Sequence, residues 1–338
     1  MGQQSVIPLI DFQPFLEGGR AERKSVARKI GRVCEQIGFF LIGGHQVLPS
    51  SIEAVRAVSR DYFALPLEEK IQLRMPPDRY RGYLPFGGQT AALTQGVETP
   101  PDLVEHFSIG PVDVPADAYY TGSQAGTYFA PNQWPVRPAR MRSAWEAYYQ
   151  AMERLAEALM RSFALALELP ETYFNDKIDK HITNFSALYY PAQIEEPEPD
   201  QLRAGEHSDL GSLTILCPDS GAGGLQVYTR EGRWIDVPLV EGTFVVNLGD
   251  LMAEWTNDRW VSTLHRVVNP PRSQARQDRL SLGFFHQPNY DAVIECLETC
   301  CGPDNPPKYG YTTSGAHRTK KLSEGRYTDL RGKEAATM

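Results

Sequence analysis

Residues 205–216 read GEHSDLGSLTIL and place a histidine two positions before an aspartate, just ahead of an apolar run. On an extended backbone, residues i and i+2 point to the same side, so His207 and Asp209 can converge on one point. A ferrous site of the facial-triad kind needs two imidazoles and one carboxylate, with the remaining positions open. The pair therefore predicts two of three ligands, although a polar surface turn would also contain such residues.

The third ligand must come from a distant part of the chain, and few histidines qualify. Besides His207 there are six, at positions 45, 106, 181, 265, 286 and 317. Only His265 and His286 lie within the strand-like runs of the second half. Successive residues of a strand point to opposite faces, so His286 would face the side opposite to Phe285, and we do not expect it to bind iron. A lone imidazole in STLHRVV (262–268) is usually a hydrogen-bonded core residue. Combined with the upstream motif, it favours a metal site made of His207, Asp209 and His265.

A third cue follows the histidine strand, after the turn-rich segment NPPRSQARQD. If this segment closes a hairpin in which residue 265 lies opposite 281 and 267 opposite 279, Arg279 and Ser281 share a face with the metal ligand. A guanidinium with a hydroxyl two residues on suits a bound carboxylate, because both can donate to its oxygens. Without that position, a surface arginine would be the ordinary interpretation.

The elements that must hold these residues change in character along the chain. Helical periodicity covers 21–37, a segment that begins at Pro49, and a long stretch at about 140–168. After residue 180 the pattern changes to short apolar runs separated by turns. These runs are NFSALYY (184–190), SLTILC (212–217), LQVYT (225–229), RWIDV (233–237), TFVVNL (243–248), WVSTLHRVV (260–268) and RLSLGFFHQ (279–287). The sequence therefore predicts an α+β protein whose β core is a sandwich, jelly roll or barrel flanked by helices.

Composition excludes several classes of function. The formal net charge of −8 argues against a protein that binds a nucleic-acid backbone. The longest apolar runs fall well short of a membrane span, and the N-terminus has no signal-peptide pattern. The five cysteines lack the spacing of a zinc site. We therefore expect reduced thiols and a cytoplasmic protein that acts on a small molecule, with no nucleic-acid or membrane partner and no prediction of oligomeric state.

These motifs, in this order, resemble the iron(II)- and 2-oxoglutarate-dependent dioxygenases of the branch typified by isopenicillin N synthase and the plant flavonoid and hormone oxidases. The first half matches in IPLIDF, CEQIGFFLIGGHQV, YFALPLEEK and RGYLPFG, and the second half in YYP, HSDLGSLTIL, GGLQV, STLHRV and RLSLGFF. The resemblance implies a distorted double-stranded β-helix of the jelly-roll type, with Fe(II) held by His207, Asp209 and His265. It also implies that Arg279 and Ser281 bind 2-oxoglutarate together with Tyr190, for which Tyr189 is the alternative.

The resemblance also predicts the organisation of the chain and its reaction. An N-terminal helix and strand region at 1–125 and a jelly-roll region at 126–338, with a C-terminal extension, would form one compact unit. The reaction would couple decarboxylation of 2-oxoglutarate, with O2, to oxidation of a C–H bond, giving succinate and CO2. Hydroxylation is the expected outcome, and desaturation or ring closure stays open. Substrate contacts are expected from the irregular 76–110 region, from strand positions beside the ligands and from the C-terminal segment YGYTTSGAHRTKK, with Arg81, Tyr83, Phe107 and Phe285 as single candidates.

Three alternatives remain at this stage. An oxidase like isopenicillin N synthase would use Arg279 and Ser281 to hold the carboxylate of its own substrate and would need no 2-oxoglutarate. A catalytically silent protein on the same scaffold would bind a small ligand only. A zinc hydrolase could use the same two histidines and carboxylate, but the sequence offers no evident general base.

Overall fold

The computed structural model describes residues 7–76, 79–219 and 223–324 of the chain. Within these ranges there are nine α-helices. They are α1 (Gln13–Glu17), α2 (Arg20–Gln36), α3 (Pro49–Phe63), α4 (Leu67–Lys70), α5 (Ala118–Thr121), α6 (Met141–Ala166), α7 (Asn175–Ile178), α8 (Asp250–Trp255) and α9 (Ser314–Glu324). The helices expected at 21–37, from Pro49 and at 140–168 correspond to α2, α3 and α6. No helix in the described ranges is long and apolar enough to cross a membrane.

Fourteen β-strands occur in the same ranges. They are β1 (Leu9–Asp11), β2 (Phe39–Gly43), β3 (Gly82–Leu84), β4 (Glu105–Ile109), β5 (Asn184–Tyr190), β6 (Ala204–His207), β7 (Leu213–Cys217), β8 (Leu225–Tyr228), β9 (Trp234–Asp236), β10 (Phe244–Leu248), β11 (His265–Val267), β12 (Arg279–His286), β13 (Val293–Ile294) and β14 (Thr312–Thr313). Each strand-like run after residue 180 contains a strand. The run at 260–268 is mostly irregular, however, and only three of its residues form β11.

The strands form two facing sheets and one small ribbon. The larger sheet has eight strands in the order β1-β2-β10-β7-β12-β5-β4-β3, and the smaller has four in the order β6-β11-β8-β9. Chain neighbours are often separated within a sheet, and β1 and β2 form the edge of the larger sheet. The α+β jelly roll flanked by helices is confirmed.

The predicted hairpin between the histidine strand and the arginine strand is wrong. Strand β11 pairs with β6 and β8 in the smaller sheet, whereas β12 pairs with β5 and β7 in the larger one. The connection at 268–278 crosses from one sheet to the other instead of turning back on itself. His265 and Arg279 therefore reach the space between the sheets from opposite sides.

The larger sheet separates a helix-covered core from this inner space. Alternation along β5 turns Phe185 and Ala187 toward the helices, where the ring of Phe185 lies 4.6 Å from that of Trp145 on α6. The other face of β5 lines an open cavity with Asn184, Ser186, Leu188 and Tyr190. The helices thus fix the outer face of the sheet while the inner face remains available for chemistry.

Candidate active site

Two histidines and one aspartate meet at the wall formed by the smaller sheet. His207 at the end of β6 is the direct partner of His265 in β11, and the two ring centroids lie 4.3 Å apart. Asp209 follows β6, and its Oδ1 lies 3.8 Å from His265 Nε2. One ligand atom from each residue lies within 4.8 Å of the others. Such a donor set on one side of a cavity fits a divalent metal with open positions opposite.

Backbone carbonyls fix which nitrogen of each imidazole faces the cluster. His207 Nδ1 donates to the carbonyl of Gly205 at 2.7 Å, and His265 Nδ1 donates to the carbonyl of Thr263 at 3.0 Å. With the proton held on Nδ1, the lone pair of each ring is on Nε2. Both rings are therefore oriented and in the tautomer that a metal ligand requires.

The aspartate is also held by one oxygen and free at the other. Its Oδ2 accepts hydrogen bonds from Thr214 Oγ1 at 2.6 Å and from Asn247 Nδ2 at 2.7 Å. Burial opposes ionisation, but electrostatic attraction to the His265 and His207 rings and these two hydrogen bonds hold the pKa of Asp209 below its ordinary value. The carboxylate is thus ionised and presents Oδ1 to the two imidazoles.

The cavity beyond the cluster is lined by alternate residues of neighbouring strands. On β12 and its continuation, Arg279, Ser281, Phe285 and Gln287 face inward. Gly283 interrupts this series because a Cβ there would lie 2.8 Å from the Phe285 ring. The prediction that Arg279 and Ser281 share a sheet face with His265 is wrong, because they line the same cavity from the opposite sheet.

One end of the cavity carries buried donors without acceptors. Arg279 pairs with Tyr190 across β12 and β5, and its guanidinium lies 4.8 Å from the centre of the Tyr190 ring. Arg279 and Ser281 are 2% and 0% exposed, yet Arg279 Nη1 and Ser281 Oγ have no hydrogen-bond partner in the described part of the chain. Buried donors are rarely left unpaired, so this end fits the carboxylate of a bound ligand.

A second guanidinium, which the sequence reasoning missed, lies behind this end. Arg203 is fully buried, 5.9 Å from the centre of the Tyr190 ring, and donates from Nη2 to the carbonyl of Gln277. Its Nε and Nη1 have no partner among the described residues. Burial and the charge of Arg279 lower the pKa of Arg203 to about 10. In the sequence, Arg203 is a single arginine just before β6, and no motif there could have identified it as part of the site.

The directions of side chains separate Tyr190 from Tyr189, the choice that the sequence left open, and put His286 away from the metal cluster. Tyr190 faces the cavity, whereas the hydroxyl of Tyr189 donates to Asp278 at 2.9 Å on the other side of β5. His286 is 2% exposed, and its Nδ1 lies 2.6 Å from Ser212 Oγ, away from the metal cluster. Tyr190 is therefore the tyrosine near Arg279, and His286 is not part of the ligand set.

Of the four candidate substrate contacts, only Phe285 lies on the cavity wall. Tyr83 and Phe107 are 1% and 0% exposed within the helix-side core, because the strand alternation of β4 turns His106 inward instead. Arg81 lies behind the wall, where it donates to the carbonyls of Tyr80, Tyr128 and Ala130. These three residues therefore do not line the cavity as expected: Tyr83 and Phe107 pack in the core, and Arg81 binds backbone carbonyls.

The wall opposite the Arg279 end is polar. Asn184 accepts a hydrogen bond from Arg81 at 2.9 Å, and Ser186 Oγ lies 2.6 Å from Ser108 Oγ. Gln287 is 5% exposed, lines the cavity, and has no donor for its Oε1 among the described residues. These groups can position a molecule that carries hydrogen-bonding atoms, which sequence reasoning alone did not reveal.

A jelly roll with two imidazoles and one carboxylate in its cavity, and buried donors without partners among the described residues nearby, is typical of non-haem iron oxygenases. Two family profiles match the chain. One, described as the non-haem dioxygenase in morphine synthesis N-terminal region, covers residues 7–137, and the other, the 2OG-Fe(II) oxygenase superfamily, covers residues 182–288. The chain belongs to the 2OG-Fe(II) oxygenase superfamily.

Individual relatives agree along nearly the whole chain. A 2-oxoglutarate-Fe(II) type oxidoreductase of Emericella nidulans is 34% identical over 89% of this chain and 85% of its own length. Validamycin A dioxygenase of Streptomyces hygroscopicus is 32% identical over 88% of this chain and 80% of its own. A full-length Neurospora crassa protein, crystallised in complex with alpha-KG and thymine, has a TM-score of 0.83 at 31% identity, covering 96% of this chain and 98% of that one. This chain is thus an Fe(II)- and 2-oxoglutarate-dependent dioxygenase.

Proposed function

We propose that His207, Asp209 and His265 hold the ferrous ion and that Arg279, Ser281 and Tyr190 bind 2-oxoglutarate. The observation that carries this proposal is the convergence of three ligand atoms within 4.8 Å, across a cavity from two buried donors that lack acceptors among the described residues. When bound, Fe(II) with 2-oxoglutarate and O2 supplies the oxidation of a substrate C–H bond, with release of succinate and CO2. The protein supplies orientation and exclusion of water.

The residues around the cosubstrate have separable tasks. Arg279 can bind both oxygens of the far carboxylate, and Ser281 can donate a further hydrogen bond. Tyr190 packs against the guanidinium and limits its positions. A ligand anchored in this way extends from the larger sheet toward the histidines of the smaller sheet, so its oxo-acid end can reach the metal.

The substrate, in our proposal, is a small organic molecule with hydrogen-bonding groups. The polar wall of Asn184, Ser186 and Gln287 supports this, and Phe285 offers a ring against which a flat or apolar part can pack. The Neurospora crassa relative binds thymine, and the Streptomyces relative is named for validamycin A. We propose hydroxylation as the reaction, without a nucleic-acid partner.

We further propose that regions 1–125 and 126–338 form one folding unit. Support comes from strands β1 to β4 of the first region, which extend the larger sheet at both of its edges. The five cysteines are all free, which supports the prediction of a reducing compartment such as the cytoplasm.

The test is an assay of succinate formation by the Fe(II)-loaded protein with a panel of small polar molecules. We expect strict dependence on 2-oxoglutarate, and stimulation by the substrate. Oxygen consumption that continues without 2-oxoglutarate would instead favour an oxidase of the isopenicillin N synthase kind. Full activity in His207→Ala would refute the ligand assignment.

A further inference from the structure

One cationic side chain in the cavity has no part in binding iron or 2-oxoglutarate. Arg318 on helix α9 belongs to the cavity lining. Its guanidinium lies over two aromatic rings, 5.1 Å from the centre of Tyr80 and 5.7 Å from that of Tyr128. Tyr128 in turn donates from its hydroxyl to the carbonyl of Gly315 at 2.8 Å, which anchors the start of α9. The arginine is therefore held in place on the wall.

The N–H groups of Arg318 have no hydrogen bond or ion pair with any residue of the described ranges. Arg81 lies close to it, and the acceptors of Arg81 are three carbonyls and the Asn184 side chain. Burial and the charge of Arg318 lower the pKa of Arg81 to about 9. Two guanidiniums thus lie together at this place without a described carboxylate to balance them.

Two arginines thus lie near one end of β5, and a similar pair, Arg279 and Arg203, lies at the other end. There Arg279 and Arg203 lie 4.8 Å and 5.9 Å from the centre of the Tyr190 ring, with buried donors that no described residue pairs. Asn184, which Arg81 binds, is six residues from Tyr190, which corresponds to about 20 Å along the strand. The cavity therefore has a positive end for 2-oxoglutarate and a second positive region well separated from it. Unbalanced cations at a cavity wall attract and bind an anion.

We propose that the substrate carries a carboxylate and that this group binds to Arg318. The inference rests on the proposed function, since it takes the Arg279 end to be filled by 2-oxoglutarate. Anchoring the substrate by its acid group on α9 would leave the rest of the molecule along the polar wall, facing the metal cluster. The Arg318 side chain then sets which compounds are accepted, and so it is a specificity-determining residue.

The charges of the wall also define what the substrate lacks. Among the described lining residues the one acidic side chain is Asp209, which already belongs to the ligand cluster. No carboxylate on the described wall is left to pair with an ammonium or guanidinium of the substrate. The class of substrate that fits is a small organic acid without a basic group, held by Arg318 at one end.

The test is equilibrium dialysis of the anaerobic Fe(II) holoenzyme with saturating 2-oxoglutarate against matched pairs of acids and primary amides, such as 3-phenylpropanoate with 3-phenylpropanamide. In the wild type, we expect the acids that fit to bind about 10- to 100-fold more tightly than their amides, as for a charge-assisted hydrogen bond. Arg318→Gln should abolish this preference, and Arg318→Lys should restore part of it. Lys320→Gln removes the same charge from an exposed position of α9 and should leave the preference intact.

The outcomes separate this inference from the proposed function. If no acid binds more tightly than its amide, or if Arg318→Gln keeps the preference, the assignment to Arg318 is overturned. Binding of 2-oxoglutarate itself, measured in the same dialysis, tests the proposed function alone. Failure of the wild type to bind 2-oxoglutarate contradicts that function, whereas normal 2-oxoglutarate binding without any preference for acids contradicts only the role of Arg318.

Discussion

His207 and His265 are direct partners across the antiparallel strands β6 and β11, although 58 positions separate them in the chain. Their pairing makes the metal cluster a property of the smaller sheet, because the ladder itself brings the two rings together. Carbonyls of the same segments then fix the tautomer of each ring. The site is built on regular structure, which holds ligands more rigidly than a loop does.

The hydrogen bonds to Asp209 Oδ2 give the first prediction. Asn247→Ala removes the donor at 2.7 Å, so the carboxylate loses part of what holds its orientation. We expect the affinity for Fe(II) to fall about 10- to 100-fold, as for other residues that position metal ligands. Anaerobic Fe(II) titration measures this. Thr243→Val, which removes a hydroxyl bound to the carbonyl of Val240, is the control, and unchanged iron affinity in Asn247→Ala would refute the positioning role.

The two donors at the Arg279 end of the cavity predict that substitutions there raise the KM for 2-oxoglutarate to different extents. Arg279→Gln removes a charged donor and should raise the KM for 2-oxoglutarate about 10- to 100-fold, whereas Ser281→Ala removes a neutral donor and should raise it about 2- to 10-fold. The KM of the main substrate should change little. Steady-state succinate formation at varied 2-oxoglutarate measures both effects. Equal effects of the two variants would contradict this grading, and no effect of either would mean that the carboxylate binds elsewhere.

Arg203 gives a prediction that does not depend on direct contact. Its charge lies beside Arg279 and is repelled by it, and a bound dianion would relieve that repulsion. Arg203→Met should therefore weaken 2-oxoglutarate binding about tenfold, the effect of a charge several Å away in a partly screened site. Iron affinity should be unchanged. A variant that loses thermal stability but keeps its 2-oxoglutarate affinity would show that Arg203 acts only in packing.

Gly110 tests the position of Arg81. A Cβ at Gly110 would overlap the Arg81 guanidinium, which has no room to withdraw because four acceptors hold it. Gly110→Ala should lower the free energy of unfolding by about 1–3 kcal/mol, the usual cost of overpacking. Chemical denaturation measures it, with Gly302→Ala as a comparison at a glycine whose Cβ would meet nothing within 4 Å. Equal stability of Gly110→Ala and the wild type would contradict the described position of Arg81.

The sequence was sufficient for local patterns and insufficient for sheet assignment. His207 and Asp209 follow from an i, i+2 spacing, and β5 spans the predicted residues 184–190. The hairpin between His265 and Arg279 was wrong because β11 has only three residues, too few to reveal its partners from its own pattern. Nothing local distinguishes a connection that crosses between sheets from one that turns back.

For strands that are buried on both faces, the sequence could not show which residues face the cavity. All five residues of β4 are buried, so alternation could not show that His106 and not Phe107 faces the cavity. Arg203 was missed, and Arg318 was not singled out within its C-terminal segment, for a related reason: their positions depend on distant neighbours, Tyr190 for one and Tyr80 with Tyr128 for the other. A single arginine has no signature before the fold brings those rings to it.

Anaerobic Fe(II) binding by wild-type protein, His207→Ala and His265→Ala tests the central claim most directly. The wild type should bind one Fe(II) per chain, and each variant should lose this binding while its melting temperature stays close to that of the wild type. His45→Ala, which alters a histidine stacked on Phe244 outside the cluster, should bind iron normally. If His265→Ala binds Fe(II) as tightly as the wild type, the three residues do not share one ion.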